Sequence, residues 1–385
     1  MPEMDGLDRW GSERFGIARR QFLLESLHDL QRALKRYDSD LLLLEGNAVL
    51  ALQELAKEIG AKAILGPSEM AFNEKKEETN LQQWGKDNQV DVRFLLERTL
   101  FNRDTLPFGL SQLPETFSRF RNKVEKHCRP ELNLPEAEIN PIDYTIIDRP
   151  FTTIPIIEGG SPLKGGLRAA WEEIDFYFWQ SELVLGYKET RNGMLGRDYS
   201  SKFSPYLALG CVSPREIYAE LVRFEEEVER NESTYWLYFE LLWREYFQWI
   251  ALKHGNELFV AEGMKPELPV KHGFNKKTFV KWKEGHTGDP LVDANMRELK
   301  STGFMSNRGR QNVASYLIHD LGLDWRCGAA WFESQLIDYD PASNYGNWLY
   351  IAGRGNDPRP FRKFNTKMQA ERYDPEGAYV AYWLD

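Results

Sequence analysis

Apolar residues recur at helical spacing over residues 14–36, where Phe22, Leu23, Leu27, Leu30 and Leu34 share one face, so an amphipathic helix is predicted. Residues 40–44 form a short apolar run that predicts a strand, followed by a helix over 48–59. A second buried strand is predicted at 61–65, a polar helix at 69–88 and a third strand at 90–96. Strands alternating with helices imply parallel βαβ units. The sheet would be small, and the chain opens on a helix instead of a strand. Residues 129–166 change character: Pro130, Pro135, Pro141, Pro150, Pro155 and Pro162 precede Gly165 and Gly166, predicting a long connection. From residue 167 onward the pattern is helical almost throughout. The expected organisation is therefore α/β plus all-α, with an α/β domain over 1–128, a linker over 129–166 and a helical domain over 167–385.

Composition narrows the class. An apolar share of 42% and a charged share of 28% are those of an ordinary soluble protein and exclude a largely disordered chain. No apolar stretch approaches a membrane span, and the first twenty residues alternate charge with glycine, so no targeting segment is expected and the location is read as cytoplasmic. Cys128, Cys211 and Cys327 are far apart, which excludes a disulfide framework or zinc ribbon and fits a reducing compartment. A net charge of −10 argues against a nucleic-acid partner if taken alone. Charge is nevertheless patterned: Arg354, Arg359, Arg362, Lys363, Lys367 and Arg372 stand against Asp357 and Glu371. Such a stripe suits phosphates or is simply a solvated tail.

Signatures of hydrolases, P-loops and zinc proteases are missing, and the six histidines show no ligand spacing, so no metal is expected. Three polar blocks interrupt the aromatic-rich helical half. In the first, Ser200, Ser201, Lys202 and Ser204 precede an apolar helix; hydroxyls, a cation and free N–H groups suit a pyrophosphate, and equally make a good N-cap. In the second, Glu240, Trp243, Arg244 and Phe247 share one helix face and could wall a planar heterocycle; Glu240 and Arg244 also have the spacing of an intrahelical ion pair. The third runs from Asn307, Arg308, Arg310 and Gln311 to Asp338, Asp340 and Asn344. Its carboxylates need partners if buried, and Arg310 is the evident one.

These blocks, together with residues 187–192, 291–299, 301–314, 324–326 and 338–348, resemble the photolyase/cryptochrome flavoproteins in order and spacing over residues 12–385, and their phrasing is similar to the cryptochrome DASH branch. The resemblance implies a Rossmann-like N-terminal domain, here truncated, joined by a long linker to a helical domain holding a U-shaped FAD. It places Tyr187, Ser200, Ser201, Lys202 and Ser204 at the FAD phosphates and ribityl chain, and Arg244 and Asp340 facing the flavin. The Asp338–Arg310 pair falls beside the isoalloxazine, and Asn344 next to flavin N5. Glu240, Trp243, Asn307 and Arg308 fall where the family meets a cyclobutane pyrimidine dimer flipped out of DNA. Gln311 and Tyr350 replace residues of duplex-repairing members, which implies a more polar lesion pocket and single-stranded DNA as partner. The basic run at 354–367 would then contact phosphates.

Asn312 stands where the branch repairing the other ultraviolet photoproduct has a histidine. Trp348 and Trp325 match the inner and middle members of the family's electron-transfer chain; the outer place falls on His272, with Trp282 as a neighbouring aromatic better read as core. The implied activity is blue-light-driven repair of cyclobutane dimers, catalysed through Glu240, Asn344, Trp348 and Trp325, with a DNA-binding photoreceptor as the alternative. Family members normally begin with strands that this chain lacks, which implies a split or distorted sheet, or else an incomplete gene model. A methenyltetrahydrofolate antenna would use Glu69, but its other wall is absent, which argues against it. A monomer is expected.

Overall fold

The computed structural model describes residues 6–132, 141, 153–270, 272–357, 359 and 362–385. The N-terminal part comprises α1 (Ile17–Lys35), α2 (Ala48–Glu58), β1 (Ala63–Pro67), α3 (Phe72–Asn88), β2 (Asp91–Leu95) and α4 (Phe117–His127). β1 and β2 pair in parallel, in register from Ala63 opposite Asp91 to Pro67 opposite Leu95. They are the whole sheet among the described residues. The strand expected at 40–44 does not form; the segment is half-buried and has no regular structure. A lone extended segment bears its ordering entropy without ladder hydrogen bonds in return. The sheet among the described residues is thus a parallel pair, smaller than the three strands expected.

Helix α1 departs from a simple apolar stripe. Phe22 is buried, but Leu30 lies exposed while Asp29 turns inward. The reason lies in the chain packed against it. Gln21 Oε1 accepts from Gly159 N at 2.6 Å, Glu25 Oε2 from Gly165 N at 2.7 Å and Asp29 Oδ2 from Arg168 N at 2.9 Å. These acceptors sit at i, i+4 and i+8, one face of the helix, and stitch the glycine-rich end of the connection to it. A Cβ on Gly165 would lie 2.1 Å from Phe22 O. Half of the predicted linker, residues 133–140 and 142–152, lies outside the described residues.

The helical part runs through α5 (Leu167–Asp175), α6 (Tyr187–Thr190), α7 (Ser204–Leu209), α8 (Pro214–Glu227) and α9 (Glu232–His254). It continues with α10 (Lys276–Lys283), α11 (Pro290–Thr302), α12 (Asn307–Ser315), α13 (Trp325–Gln335), α14 (Pro341–Ile351), α15 (Thr366–Tyr373) and α16 (Ala378–Leu384). One large core cluster joins both parts of the chain, from Phe22 and Phe120 to Trp249 and Trp348. Helix α9 is its axis. Asn231 caps it, accepting from Ser233 N and Thr234 N, and Leu237, Leu241, Tyr246 and Ile250 are buried. Even its polar residues Glu245 and Gln248 are buried, so each must find a partner.

Candidate functional site

Helices α7, α9 and α12, with the loops before α7 and α12, surround one cavity. Its walls include Tyr187, Ser200, Ser201, Lys202, Ser204, Glu240, Arg244, Asn307, Arg310 and Asp338. A second cavity shares Asn307, Arg310 and Asp338 with it, and adds Gln311, Asp340, Asn344 and Trp348 from the side of α14. Residues up to 161 apart in sequence therefore line one continuous cleft. The cofactor set meets Glu240, Asn307 and Gln311 of the lesion set there, whereas Trp243, Arg308 and Tyr350 are not among the lining residues.

The cleft is charged inside. Arg310 Nη2 lies 2.8 Å from Asp338 Oδ2, and Ser204 Oγ donates to the same oxygen at 2.7 Å. Asp340 caps α14 through Ser343 N at 2.7 Å, and Gln248 Nε2 reaches both its oxygens at 3.0 Å. Burial would raise the Asp340 carboxyl, but Arg244, Ser343 N–H and Arg98 outweigh it and hold the group below the usual carboxylate range. Arg244 Nη1 donates to Arg98 O at 2.6 Å, and Arg98 bridges Asp340 at 3.7 Å and Glu69 at 2.8 Å. Glu69 is thus drawn into the cleft's own ion-pair network.

Two buried polar atoms of this lining, Arg244 Nη2 and Asp338 Oδ1, have no hydrogen-bond partner. Unpaired groups of this kind are costly unless a ligand satisfies them. Lys202 is buried with a left-handed backbone (φ 55°), and its Nζ has Ser200 Oγ at 3.1 Å and the Tyr199 ring at 3.2 Å. Desolvation pushes its ammonium down to about 7. A ligand with a pyrophosphate and polyol chain offers acceptors and donors to these groups, so the residues present fit FAD.

At the mouth, Glu240 pairs with Arg191, whose guanidinium also lies over Trp236. The intrahelical Glu240–Arg244 pair permitted by spacing does not form, because Arg244 turns instead toward Arg98 and Asp340. Burial raises the Glu240 carboxyl, and Arg191 opposes that shift. Trp243 stacks on Phe117 of α4 at 3.7 Å, and its ring meets Tyr350 at 5.9 Å. Arg308 bridges Gln311 and Asn192, both at 2.9 Å, while Asn307 is exposed at the rim.

The basic run behaves differently from the expected phosphate track. Arg354 is buried and donates to the carbonyls of Leu268 and Pro269; Arg359 and Arg362 pair with Asp357, and Lys363 with Asp320 at 2.5 Å. Arg362 also reaches Tyr350 Oη at 3.0 Å. Most of these cations are spent on the protein itself, which corrects the sequence reading.

Asn344 is buried and donates to Ala329 O at 3.1 Å. Trp348 lies against α13 where a Cβ on Gly328 would be 2.2 Å from its ring. Trp325 opens α13, buried, with its N–H on Ala261 O at 3.2 Å. Trp282 is fully buried, 6.3 Å from the Trp348 ring, so it is core and not an outer, exposed member of any chain. Sequence reasoning missed Arg191, Arg98, Gln248 and Phe117. Gln248 had a signal, being one turn beyond Arg244 on the same face; the others come from distant segments.

The two parts of the chain match models described as DNA photolyase, over residues 4–138, and FAD binding domain of DNA photolyase, over residues 236–385. The chain belongs to the photolyase/cryptochrome family. It is 46% identical to cryptochrome DASH of Danio rerio, covering 98% of this chain and 75% of that protein. It is also 46% identical to cryptochrome DASH of Gloeobacter violaceus, over 100% and 78%. Among solved structures, a Synechocystis cryptochrome superposes with TM-score 0.88 at 42% identity, covering 100% of this chain and 81% of that one. A class III photolyase from Agrobacterium tumefaciens gives 0.75 at 27%, over 97% and 78%. Within the family the chain falls in the cryptochrome DASH branch, and it is an FAD-binding flavoprotein by that kinship.

Proposed function

We propose that this protein binds FAD in the cleft and splits cyclobutane pyrimidine dimers under blue light, preferring single-stranded DNA. The observation that supports this most is that one cavity is lined both by the polyol- and phosphate-binding groups and by Glu240 and Asn307. The bound flavin supplies light absorption and one-electron donation. The protein's part is to position and to exclude water. Ser200, Ser201 and Lys202 hold the pyrophosphate, Arg244 Nη2 and Asp338 Oδ1 take up hydrogen bonds to the cofactor, and Asn344 fixes the polar environment beside its ring. Trp243, propped by Phe117, and Tyr350 wall the lesion. Glu240, its carboxyl raised by burial against the opposing pull of Arg191, faces the dimer from the mouth of the cavity, while Gln311 lines the polar side.

A preference for single strands follows from cost: extruding a dimer is cheapest where no partner strand must be left. A folate antenna is not part of the proposal, since Glu69 is engaged by Arg98. The second reading, a DNA-binding photoreceptor with little repair, is favoured by the Arg191–Glu240 pair, which ties up the carboxylate repair would use. The two separate by illuminating flavin-loaded protein with a dimer-containing single-stranded oligonucleotide and following recovery of thymine absorbance. Recovery is expected, and Glu240→Ala should lower its quantum yield. No recovery with flavin bound and reduced would establish the receptor reading.

A further inference from the structure

Tyr345 lies one residue beyond Asn344 on α14, on the side turned from the cleft toward α13. Its ring is 6.1 Å from the Trp325 ring and 4.7 Å from Phe259. Its hydroxyl donates to Glu333 Oε2 at 2.9 Å. Trp325 differs from it in one respect. The Trp325 N–H is bonded to a backbone carbonyl, which cannot take a proton in neutral water. An oxidised Trp325 would therefore remain a cation in a buried place, an expensive state. A phenol that loses an electron becomes strongly acidic, so its oxidation is easy only where a base already accepts its hydrogen bond. Tyr345 has that base.

We propose that Tyr345 is the terminal electron donor of this cleft, re-reducing an oxidised Trp325 and passing its phenolic proton to Glu333. The step balances: the Trp325 radical cation gains one electron and becomes neutral indole. Tyr345 loses that electron and its O–H proton to become a neutral phenoxyl radical, and the Glu333 carboxylate becomes a carboxylic acid. The oxidant that first removes an electron from Trp325 is a photoexcited isoalloxazine acting through Trp348, so the proposal rests on the flavin reading above. His272, at the place of the family's outer indole, is not needed, since imidazole is far harder to oxidise than phenol.

Around Glu333 the groups that face it are Tyr345, Tyr339, Arg19 from α1 and Glu74 from α3; around Tyr345 they are Glu333, Arg9 and Asp8. Burial raises the Glu333 carboxyl, while the Tyr345 hydroxyl and Arg19 favour its charged form. A rival exit leads from Trp348 through Trp282, Phe279 and Phe274 to Trp10, with ring separations of 6.3, 6.0, 5.6 and 4.9 Å. Its two phenylalanines offer no oxidisable stop between Trp282 and Trp10.

The test compares wild type, Tyr345→Phe and Glu333→Gln, flavin-loaded, by transient absorption and by electron paramagnetic resonance after freezing under light. Wild type should show a phenoxyl signal that follows decay of the indole radical. Tyr345→Phe should abolish it and lengthen the indole lifetime by an order of magnitude, and Glu333→Gln should do the same with the ring left in place. A phenoxyl signal unchanged in Tyr345→Phe, or an indole signal lost only in Trp10→Phe, overturns the proposal while leaving the flavin reading intact. If no flavin loads, that reading fails. The same variants are then compared in flavin-free protein oxidised by a photoexcited ruthenium polypyridyl complex with persulfate. There an equal phenoxyl yield in wild type and Tyr345→Phe again overturns the proposal.

Discussion

Asp340 is the residue on which the cleft's charge balance turns, and its substitution gives a magnitude that can be worked out. The carboxylate is 5% exposed and faces the guanidiniums of Arg98 and Arg244; it also caps α14. Asp340→Asn keeps a good capping side chain but removes the charge. Removing one partner of a buried ion pair costs about 3–5 kcal/mol. The lower end is expected, about 3 kcal/mol, because Arg98 keeps Glu69. Asp340→Ala loses the cap as well and should cost about 1 kcal/mol more. The pH dependence has a definite sign. The folded carboxyl is held below its unfolded value, so its stabilisation is full above about pH 4 and disappears as pH falls through the folded value. Urea unfolding of the flavin-free chain, followed by tryptophan fluorescence, should show a lower midpoint at unchanged slope for Asp340→Asn. The gap from wild type should shrink as the pH is lowered below about 4. A midpoint equal to wild type at neutral pH, or a gap indifferent to acid, would refute the assigned balance.

Two further outcomes follow from geometry. Gly328→Ala places a methyl 2.2 Å from the Trp348 ring, so it should cost about 1–3 kcal/mol in thermal or urea unfolding and displace that indole; an unchanged midpoint would show the contact to be slack. Lys202 carries an ammonium pushed down to about 7 by burial, so FAD binding should tighten as pH falls through neutrality. Lys202→Met should flatten that slope in a fluorescence titration, with Glu298 and Glu173, which also face Lys202, left in place. A slope identical in both proteins would remove Lys202 from the phosphate site.

What the sequence disclosed and what it withheld divide along a physical line. Periodicity located α1, α2 and α3 to within a few residues, because an amphipathic helix writes its packing into its own spacing. The pair Arg310–Asp338 was also legible, since a carboxylate in an apolar helical run must be paired. The strand at 40–44 was misread because an apolar run records only a tendency to be buried; whether it becomes a strand depends on a neighbour elsewhere in the chain. The alternative intrahelical pair of Glu240 with Arg244 does not form for a related reason. Helical spacing made Arg244 its available partner, but Arg191 and Arg98, each supplied by another segment, rearranged both charges. In the basic run at 354–367 the sequence displays charge without showing that Asp357 and Asp320 pair with Arg359, Arg362 and Lys363.

The α/β part has two paired strands among the described residues, and its role lies elsewhere than in the sheet. It shapes the cleft from behind. Leu100 N and Phe101 N donate to the buried Glu245 at 2.6 and 3.2 Å, Arg98 O fixes the Arg244 guanidinium at 2.6 Å, and Phe117 underlies Trp243 at 3.7 Å. All three recipients lie on α9. Glu245 is buried among apolar neighbours and is raised to about 7, so without those two N–H groups its burial would be harder still to sustain. The segment from residue 98 to 117 therefore sets the rotation of α9, and with it the direction in which Glu240 and Arg244 point.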